Sequence, residues 1–176
     1  MPSLIPVSLR SARLHLRCVA DDDWVGLHEY YGDAECTRYT TLQPLAPEET
    51  RRMVGAVRRH WERRGYGPYV LEETATGQVL GIAGPWYPKE WPEAEIKWAL
   101  ARRHWGRGFA AEAARAVQAM AAVHLPGLRL ISLIHADNAP SIALALAVGA
   151  RFERAMDFRG GTYHVYRHPA PRPPPP

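Results

Sequence analysis

One stretch constrains this chain more than any other. Between Glu93 and Met120 a two-residue alternation gives way to a helical one across a glycine turn. Ile96, Trp98 and Leu100 fall on one face of an extended segment, and Glu93, Glu95 and Lys97 on the other. Trp105-Gly106-Arg107-Gly108 then interrupts the strand, and Phe109, Ala113, Ala116, Val117 and Met120 recur at helical spacing. A strand, a glycine turn and a helix in that order can hold an anion. The first amides of a helix have no internal partners, and the aligned peptide dipoles add roughly half a positive charge there. Gly106 and Gly108 let the backbone approach a diphosphate and adopt turns that side chains resist. Arg102, Arg103 and Arg107 are expected to add full charges around the loop. His104 either touches phosphate or lies on the surface. A lone G-x-G is unspecific and describes an ordinary turn equally well.

The rest of the sequence supplies a domain around that segment. With 176 residues, 47% hydrophobic and 23% charged, the chain has the profile of one globular domain. No apolar run reaches the roughly 18 residues of a membrane span. The start lacks a basic region followed by an apolar one, so a cytoplasmic protein with no membrane partner is expected. Residues 1–12 read as irregular, and Leu14 and Leu16 alternate with charged neighbours in a first strand near 13–18. Asp21, Asp22 and Asp23 open a helix bearing Trp24, Leu27 and Tyr31. Pro47, Glu48 and Glu49 open a second that runs to Gly65. The arginine pairs 51/52, 58/59 and 63/64 on that helix read as a solvated face, and a net charge of +4 is modest. Nucleic acid is therefore not the expected partner.

Strands at 69–73 and 78–83 flank the turn Thr74-Ala75-Thr76-Gly77. An apolar run at 128–135 reads as a buried strand, 138–148 as a short helix ended by Gly149, and 151–156 and 162–166 as closing strands. The expected fold class is α+β with a mixed, mostly antiparallel twisted sheet flanked by helices. A single domain spans 1–168, followed by a proline-rich disordered tail at 169–176. Cys18 and Cys36 show no ligand spacing and the eight histidines no H-E-x-x-H pattern, so no metal is expected.

The run Ala94-Glu95-Ile96-Lys97-Trp98-Ala99-Leu100, followed by Arg103-His104-Trp105-Gly106-Arg107-Gly108-Phe109-Ala110-Ala111-Glu112-Ala113, resembles the acetyl-CoA-binding segment of the GNAT N-acetyltransferase superfamily. That family's motif is Arg or Gln, two residues, Gly, one residue, then Gly or Ala. Here Trp105, Gly108 and Ala110 fill the defining places, and tryptophan in the first resembles the RimJ/RimL-like branch, which includes ribosomal-protein N-terminal acetyltransferases. Ser11-Ala12-Arg13-Leu14-His15-Leu16-Arg17 is similar to the branch's opening strand. His135-Ala136-Asp137-Asn138-Ala139-Pro140-Ser141, ending in Gly149-Ala150-Arg151-Phe152, is similar to its Asn-x-x-Ser helix and following strand. The likeness covers residues 10–168. It implies acetyl-CoA as cosubstrate, lying in a splay between the fourth expected strand (93–100) and the fifth (128–135). It also allows a homodimer, although no residue here marks an interface. Arg102 departs from a common proline, and Lys97 from a small residue often found beside the reactive carbonyl.

The chemistry implied is direct attack of a primary amine, on a protein N-terminus or a small molecule, through a tetrahedral intermediate. The amine must first lose a proton, since a lysine-type amine has a pKa near ~10.4. Glu95 is the candidate base, with Glu93 in reserve. The alternative for Glu95 is an exposed carboxylate paired with Lys97, which would depress its pKa. By the resemblance, backbone amides from Trp98 to Leu100 stabilise the oxyanion. Ser141 either protonates the leaving thiolate or caps its helix, and Asn138 either caps or contacts pantetheine. Tyr163 and Tyr166 are alternative acids. The implied cofactor contacts are Trp98, Leu100, Arg103, His104, Trp105, Gly106, Arg107, Gly108, Phe109, Ala110, Asn138 and Ser141. Trp24, Tyr30, Tyr31, Tyr39, Trp86 and Tyr87 are candidate walls for the amine. Two other readings stay open: a non-catalytic acyl-CoA-binding regulatory module, for which Lys97 speaks, and a basic nucleic-acid binder.

Overall fold

A computed structural model of the chain describes residues 3–169. Apart from Pro169, the expected tail therefore lies outside the described residues. Eight strands form one sheet in the order β1-β2-β3-β4-β5-β6-β8-β7. They are β1 (Ser8–Arg10), β2 (Leu14–Arg17), β3 (Tyr69–Glu73), β4 (Val79–Trp86), β5 (Glu95–Leu100), β6 (Ile131–His135), β7 (Arg151–Phe158) and β8 (Gly161–Arg167). Every neighbouring pair is antiparallel except β5 and β6. The helices are α1 (Trp24–Tyr31), α2 (Ala34–Thr37), α3 (Pro47–Arg64), α4 (Phe109–His124) and α5 (Ala139–Ala147).

Alternation along the strands feeds a core on each face of the sheet. Leu14, Leu16, Tyr69, Leu71, Leu80, Ile96 and Leu100 pack with Phe109, Ala113, Val117 and Met120 of α4. Val70, Ile82 and Ala99 face the opposite way, onto Leu27 and Tyr31 of α1 and Val54 and Val57 of α3. Burial of this many apolar side chains, each contributing about 1.5–3 kcal/mol, holds the helices to the sheet. The arginines of α3 stay largely on its outer side. Arg51 pairs with Glu48 at 3.1 Å, Arg58 with Asp21, and Arg64 lies 4.5 Å over the Tyr87 ring.

Three parts depart from the sequence reading. Residues 8–10, expected to be irregular, form the edge strand β1. Three residues carry too little alternation to read alone and are ordered by pairing with β2. α2 is a single turn, held where the Asp33 carboxylate accepts from the Glu35 and Cys36 amides at 2.8 and 3.0 Å. β6 begins at Ile131, because residues 125–128 turn back with the Leu128 amide donating to the Leu125 carbonyl.

The pair β5 and β6 positions the site. The strands register at one place, Glu95 opposite Ile131, and then part. Side chains take over where the ladder stops. Ser132 Oγ donates to the Ile96 carbonyl at 2.7 Å, and the Leu133 amide donates to Glu95 Oε2 at 3.2 Å. The extra edge strand makes these the fifth and sixth strands, but they are the pair expected to splay.

Candidate active site

One side of the candidate site is built at the end of β5. The Ala101 amide donates to the Leu80 carbonyl of β4, while the Ala94 and Ile96 carbonyls bond toward β6. By alternation, the N–H and C=O groups of Trp98 and Leu100 point into the splay. The Leu100 carbonyl is taken by Trp105 Nε1 at 2.7 Å, which locks the glycine loop against the strand. Gly106 and Gly108 have φ of 69° and 79°, a left-handed conformation that glycine adopts without strain. Gly108 is the N-cap of α4, and no side chain caps that helix. The first intrahelical bond runs from Glu112 to the Gly108 carbonyl, leaving the amides of Phe109, Ala110 and Ala111 without helical partners.

A cavity of about 440 Å³ opens there. Trp98, Leu100, His104, Trp105, Gly106, Gly108, Phe109, Ala110, Asn138 and Ser141 all line it. Arg103 and Arg107 do not. Arg102, Arg103 and Arg107 are tied to Asp33, Glu29 and Glu73 at 3.0, 2.7 and 3.2 Å, so their charges are compensated rather than free, contrary to expectation. His104 is a buried wall of the cavity, not a surface residue. Its Nε2 accepts from Arg103 Nε at 3.0 Å, its Nδ1 is buried without a partner, and burial pushes its pKa down.

Asn138 caps α5, accepting from the Ser141 amide at 3.3 Å, so the Ser141 side chain is not the cap. Ser141 Oγ accepts instead from Trp98 Nε1 at 2.9 Å, across the splay. With that lone pair taken, the hydroxyl proton remains available to an acceptor in the cleft.

A second cavity of about 340 Å³ shares Tyr39, Thr40, Trp98, Asn138 and Ser141 with the first. Glu95 lines it and is 6% exposed, not the exposed carboxylate of the alternative reading. Burial pushes its pKa up to about 7, against the opposing pull of Lys97 and the Leu133 amide. Lys97 thus fails to hold Glu95 down, because desolvation is the larger effect. The Lys97 ammonium is itself pushed down by burial and lies 5.3 Å from the Trp86 ring centre. Glu93 is no reserve base. It precedes β5, pairs with Arg167 and Arg154 at 2.7 and 3.1 Å, and is held below its ordinary value by them.

Of the expected aromatic walls, Tyr30, Tyr31, Tyr39 and Trp86 face this cavity. Trp24 stacks under Arg51 at 4.1 Å and Tyr87 joins the α4-side core. Tyr163 is in the wall, with its pKa raised by burial, while Tyr166 packs into the small core beneath α5. Sequence reasoning missed Trp91 and Phe158, which pack edge to face at 5.1 Å and complete the wall. It also missed Ser132, whose one signal was a hydroxyl inside an apolar strand. Ser132 Oγ donates to Ile96 and so accepts from His168 Nε2 at 2.9 Å, while His168 Nδ1 faces Gln118 Nε2 at 2.9 Å. That chain fixes a neutral His168, whose burial pushes its pKa down to about 4. Among the described residues, no cluster of His, Cys, Asp and Glu is arranged to hold a metal ion, and no helix is long and apolar enough to cross a membrane.

The acetyltransferase (GNAT) domain family matches residues 13–151. The chain belongs to this family. It is 30% identical over 142 residues to the uncharacterized N-acetyltransferase p20 of Bacillus licheniformis, covering 78% of each chain. The GNAT fold recurs in an acetyltransferase structure from Agrobacterium tumefaciens, 29% identical with a TM-score of 0.82, over 93% of this chain and 94% of that one. RimL, a ribosomal L7/L12 α-N-protein acetyltransferase solved with coenzyme A, aligns with a TM-score of 0.74 at 21% identity, over 93% of this chain and 96% of that one. That last likeness is one of fold. The eight-stranded, mostly antiparallel sheet and its single parallel pair are the expected GNAT architecture.

Proposed function

We propose that this protein is an N-acetyltransferase that carries the acetyl group of acetyl-CoA to a primary amine, on a protein N-terminus or a small molecule. The observation that carries this reading is the meeting of two cavities at Trp98 and Ser141, an uncapped helix start on one side and a buried carboxylate on the other. The residues present fit the donor. The amides at the start of α4, the left-handed Gly106 and Gly108 and the unpartnered His104 Nδ1 suit a diphosphate-bearing group. Once bound, acetyl-CoA supplies a thioester carbonyl open to attack.

The chain's own residues do the rest. Glu95, near 7, accepts the proton of the incoming amine at a pH where a surface glutamate is already a much weaker base. The Trp98 and Leu100 amides, which point into the splay, would stabilise negative charge developing on a thioester carbonyl oxygen, and such a fixed donor is typically worth about 3 kcal/mol. Ser141, its lone pair engaged by Trp98, gives its proton toward the departing sulfur. The burial of Glu95, which outweighs the pull of Lys97 and the Leu133 amide, favours this catalytic reading over a regulatory acyl-CoA-binding module. Amine-dependent release of thiol from acetyl-CoA tests the proposal, with a Glu95→Gln enzyme expected to lose activity by about 100-fold or more. Equal rates in the two proteins would contradict it.

A further inference from the structure

We infer that the amine taken by this site belongs to a small amino acid, whose carboxylate pairs with Lys97 while its nitrogen faces Glu95. The inference rests on the acetyl-transfer reading above and narrows its acceptor.

The first ground is a cation without an ion pair. Lys97 shares a face of β5 with Glu95 and lines the acceptor cavity. Among the described residues its ammonium has no ion pair and no hydrogen bond, only the Trp86 ring 5.3 Å away. The arginines around the site differ: Arg102, Arg103, Arg107, Arg154 and Arg167 each have a carboxylate partner. A half-buried ammonium is costly unless something neutralises or pairs it. The neighbours cannot serve. Glu95 is too far for an ion pair, Glu90 is exposed at the mouth, Arg159 is another cation, and His60, stacked on Trp86 at 4.5 Å, is neutral near pH 7. Burial lowers the pKa of Lys97 and outweighs the opposing charge of Glu95, and a carboxylate bound against the ammonium would restore the charged form.

The second ground is a stranded donor. Tyr31 Oη is buried without a partner, and the residue lines the same cavity. Trp91 Nε1, in the same wall, is directed at the Glu95 carboxylate. Beside Lys97, the Tyr31 hydroxyl offers an anionic oxygen a second donor. A polyamine would meet Lys97 as a like charge.

The third ground is size. The cavity holds about 340 Å³ and is bounded by contacts from the segment after α2 to the β7–β8 turn and to β6. Arg159 Nη1, in that turn, donates to the Thr40 carbonyl at 3.2 Å, and the Tyr39 ring lies 5.1 Å from that of His135 at the end of β6. Those contacts leave room for a compact molecule rather than the terminus of a folded protein. Trp86, Trp91, Phe158 and Tyr163 offer its body an aromatic wall. Glu95 and Lys97 stand two residues apart on a strand, about 7 Å between Cα atoms, so an amine and a carboxylate separated by a few bonds meet both at once. In the reaction a C–N bond forms as the C–S bond breaks. Of the two protons the ammonium gives up, one ends on the sulfur and the other in solvent by way of Glu95. The carboxylate of the acceptor is unchanged.

The test pairs apolar and aromatic amino acids with their carboxamides, alongside a polyamine and an N-terminal peptide, in a thiol-release assay with acetyl-CoA. Amino acids should exceed their amides by roughly 10- to 100-fold in kcat/KM, mainly through KM, the range for one charge-assisted hydrogen bond. In Lys97→Met the ratio should fall toward 1, and Lys97→Arg should restore part of it; thermal melts establish that both variants fold. Tryptophan fluorescence gives a second reading without turnover, since aliphatic amino acids should perturb Trp86 in wild type and not in Lys97→Met. A preference that survives Lys97→Met, or turnover confined to amides, peptides or polyamines, overturns the inference while leaving acetyl transfer standing. An acetyl group found on Lys97 itself also overturns it, by making that lysine the acceptor. Protein that binds acetyl-CoA and acetylates no amine overturns both readings.

Discussion

Replacing Glu95 by glutamine should make the folded protein more stable while it disables the chemistry, and the gain should depend on pH. The carboxyl of Glu95 has its pKa raised from 4.5 to about 7 by burial. A carboxyl whose folded pKa lies above its unfolded one stabilises the fold fully below about 4.5, and that contribution is lost as pH rises through about 7. At about 1.4 kcal/mol per pH unit, ionised Glu95 costs the native state about 3 kcal/mol at pH 8 and about 1 kcal/mol at pH 5. Glutamine keeps an acceptor for the Leu133 amide and carries no charge, so the variant escapes this cost. The difference in stability between Glu95→Gln and wild type should therefore grow by roughly 2 kcal/mol from pH 5 to pH 8. For a chain of this size that is roughly 4–8 °C in Tm. Thermal or urea melts of both proteins at the two pH values measure it, and taking the difference cancels other titrations. A gap that stays constant with pH would refute the claim that Glu95 is buried with a raised pKa. The wild-type pH profile of kcat/KM should show its acid limb near 7 for the same reason.

Ser141→Ala should lower kcat by roughly 10-fold or more and leave acetyl-CoA affinity nearly unchanged, because Asn138 still caps α5 while the Trp98 indole loses its acceptor. A stopped-flow comparison of binding and turnover separates the two effects. Glu73→Gln frees Arg107 from its 3.2 Å ion pair and should tighten acetyl-CoA binding by about 2- to 5-fold, lost at high salt. Asp23→Ala should cost about 3 kcal/mol in urea unfolding, since it strips Arg17 of a bidentate partner at 2.7 and 2.8 Å and leaves the Ala20 amide unsatisfied.

The fold was legible where periodicity is long and local. The stripe Phe109, Ala113, Ala116, Val117 and Met120 marks α4, and the hairpin of β3 and β4 follows from two extended runs around a glycine turn. The elements that escaped, β1 and α2, have three and four residues and owe their order to a neighbouring strand and to one aspartate cap. In the site, the glycine loop and the Asn138–Ser141 turn were readable because they are contiguous in sequence. Ion pairs were not. Asp33, Glu29 and Glu73 reach Arg102, Arg103 and Arg107 from distant segments, so charges that look free in sequence are compensated in space. Glu95, the candidate base, lies in a cavity wall rather than on an exposed face, since alternation gives the face of a residue and not the depth of what covers it. Trp91 and Phe158 converge on the cavity from a loop and a hairpin that no local pattern joins.

The central claim is that the loop before α4 receives acetyl-CoA, and calorimetric titration tests it most directly. Gly108→Glu forces an L side chain into φ of 79° and places negative charge at the unpartnered amides of α4. Gly127→Glu, where a side chain meets open space, adds the same charge elsewhere. Wild type and Gly127→Glu should bind acetyl-CoA with Kd on the order of micromolar, and folded Gly108→Glu should bind at least about 30-fold more weakly. Equal affinity in all three proteins, or no binding by folded wild type, would contradict the account.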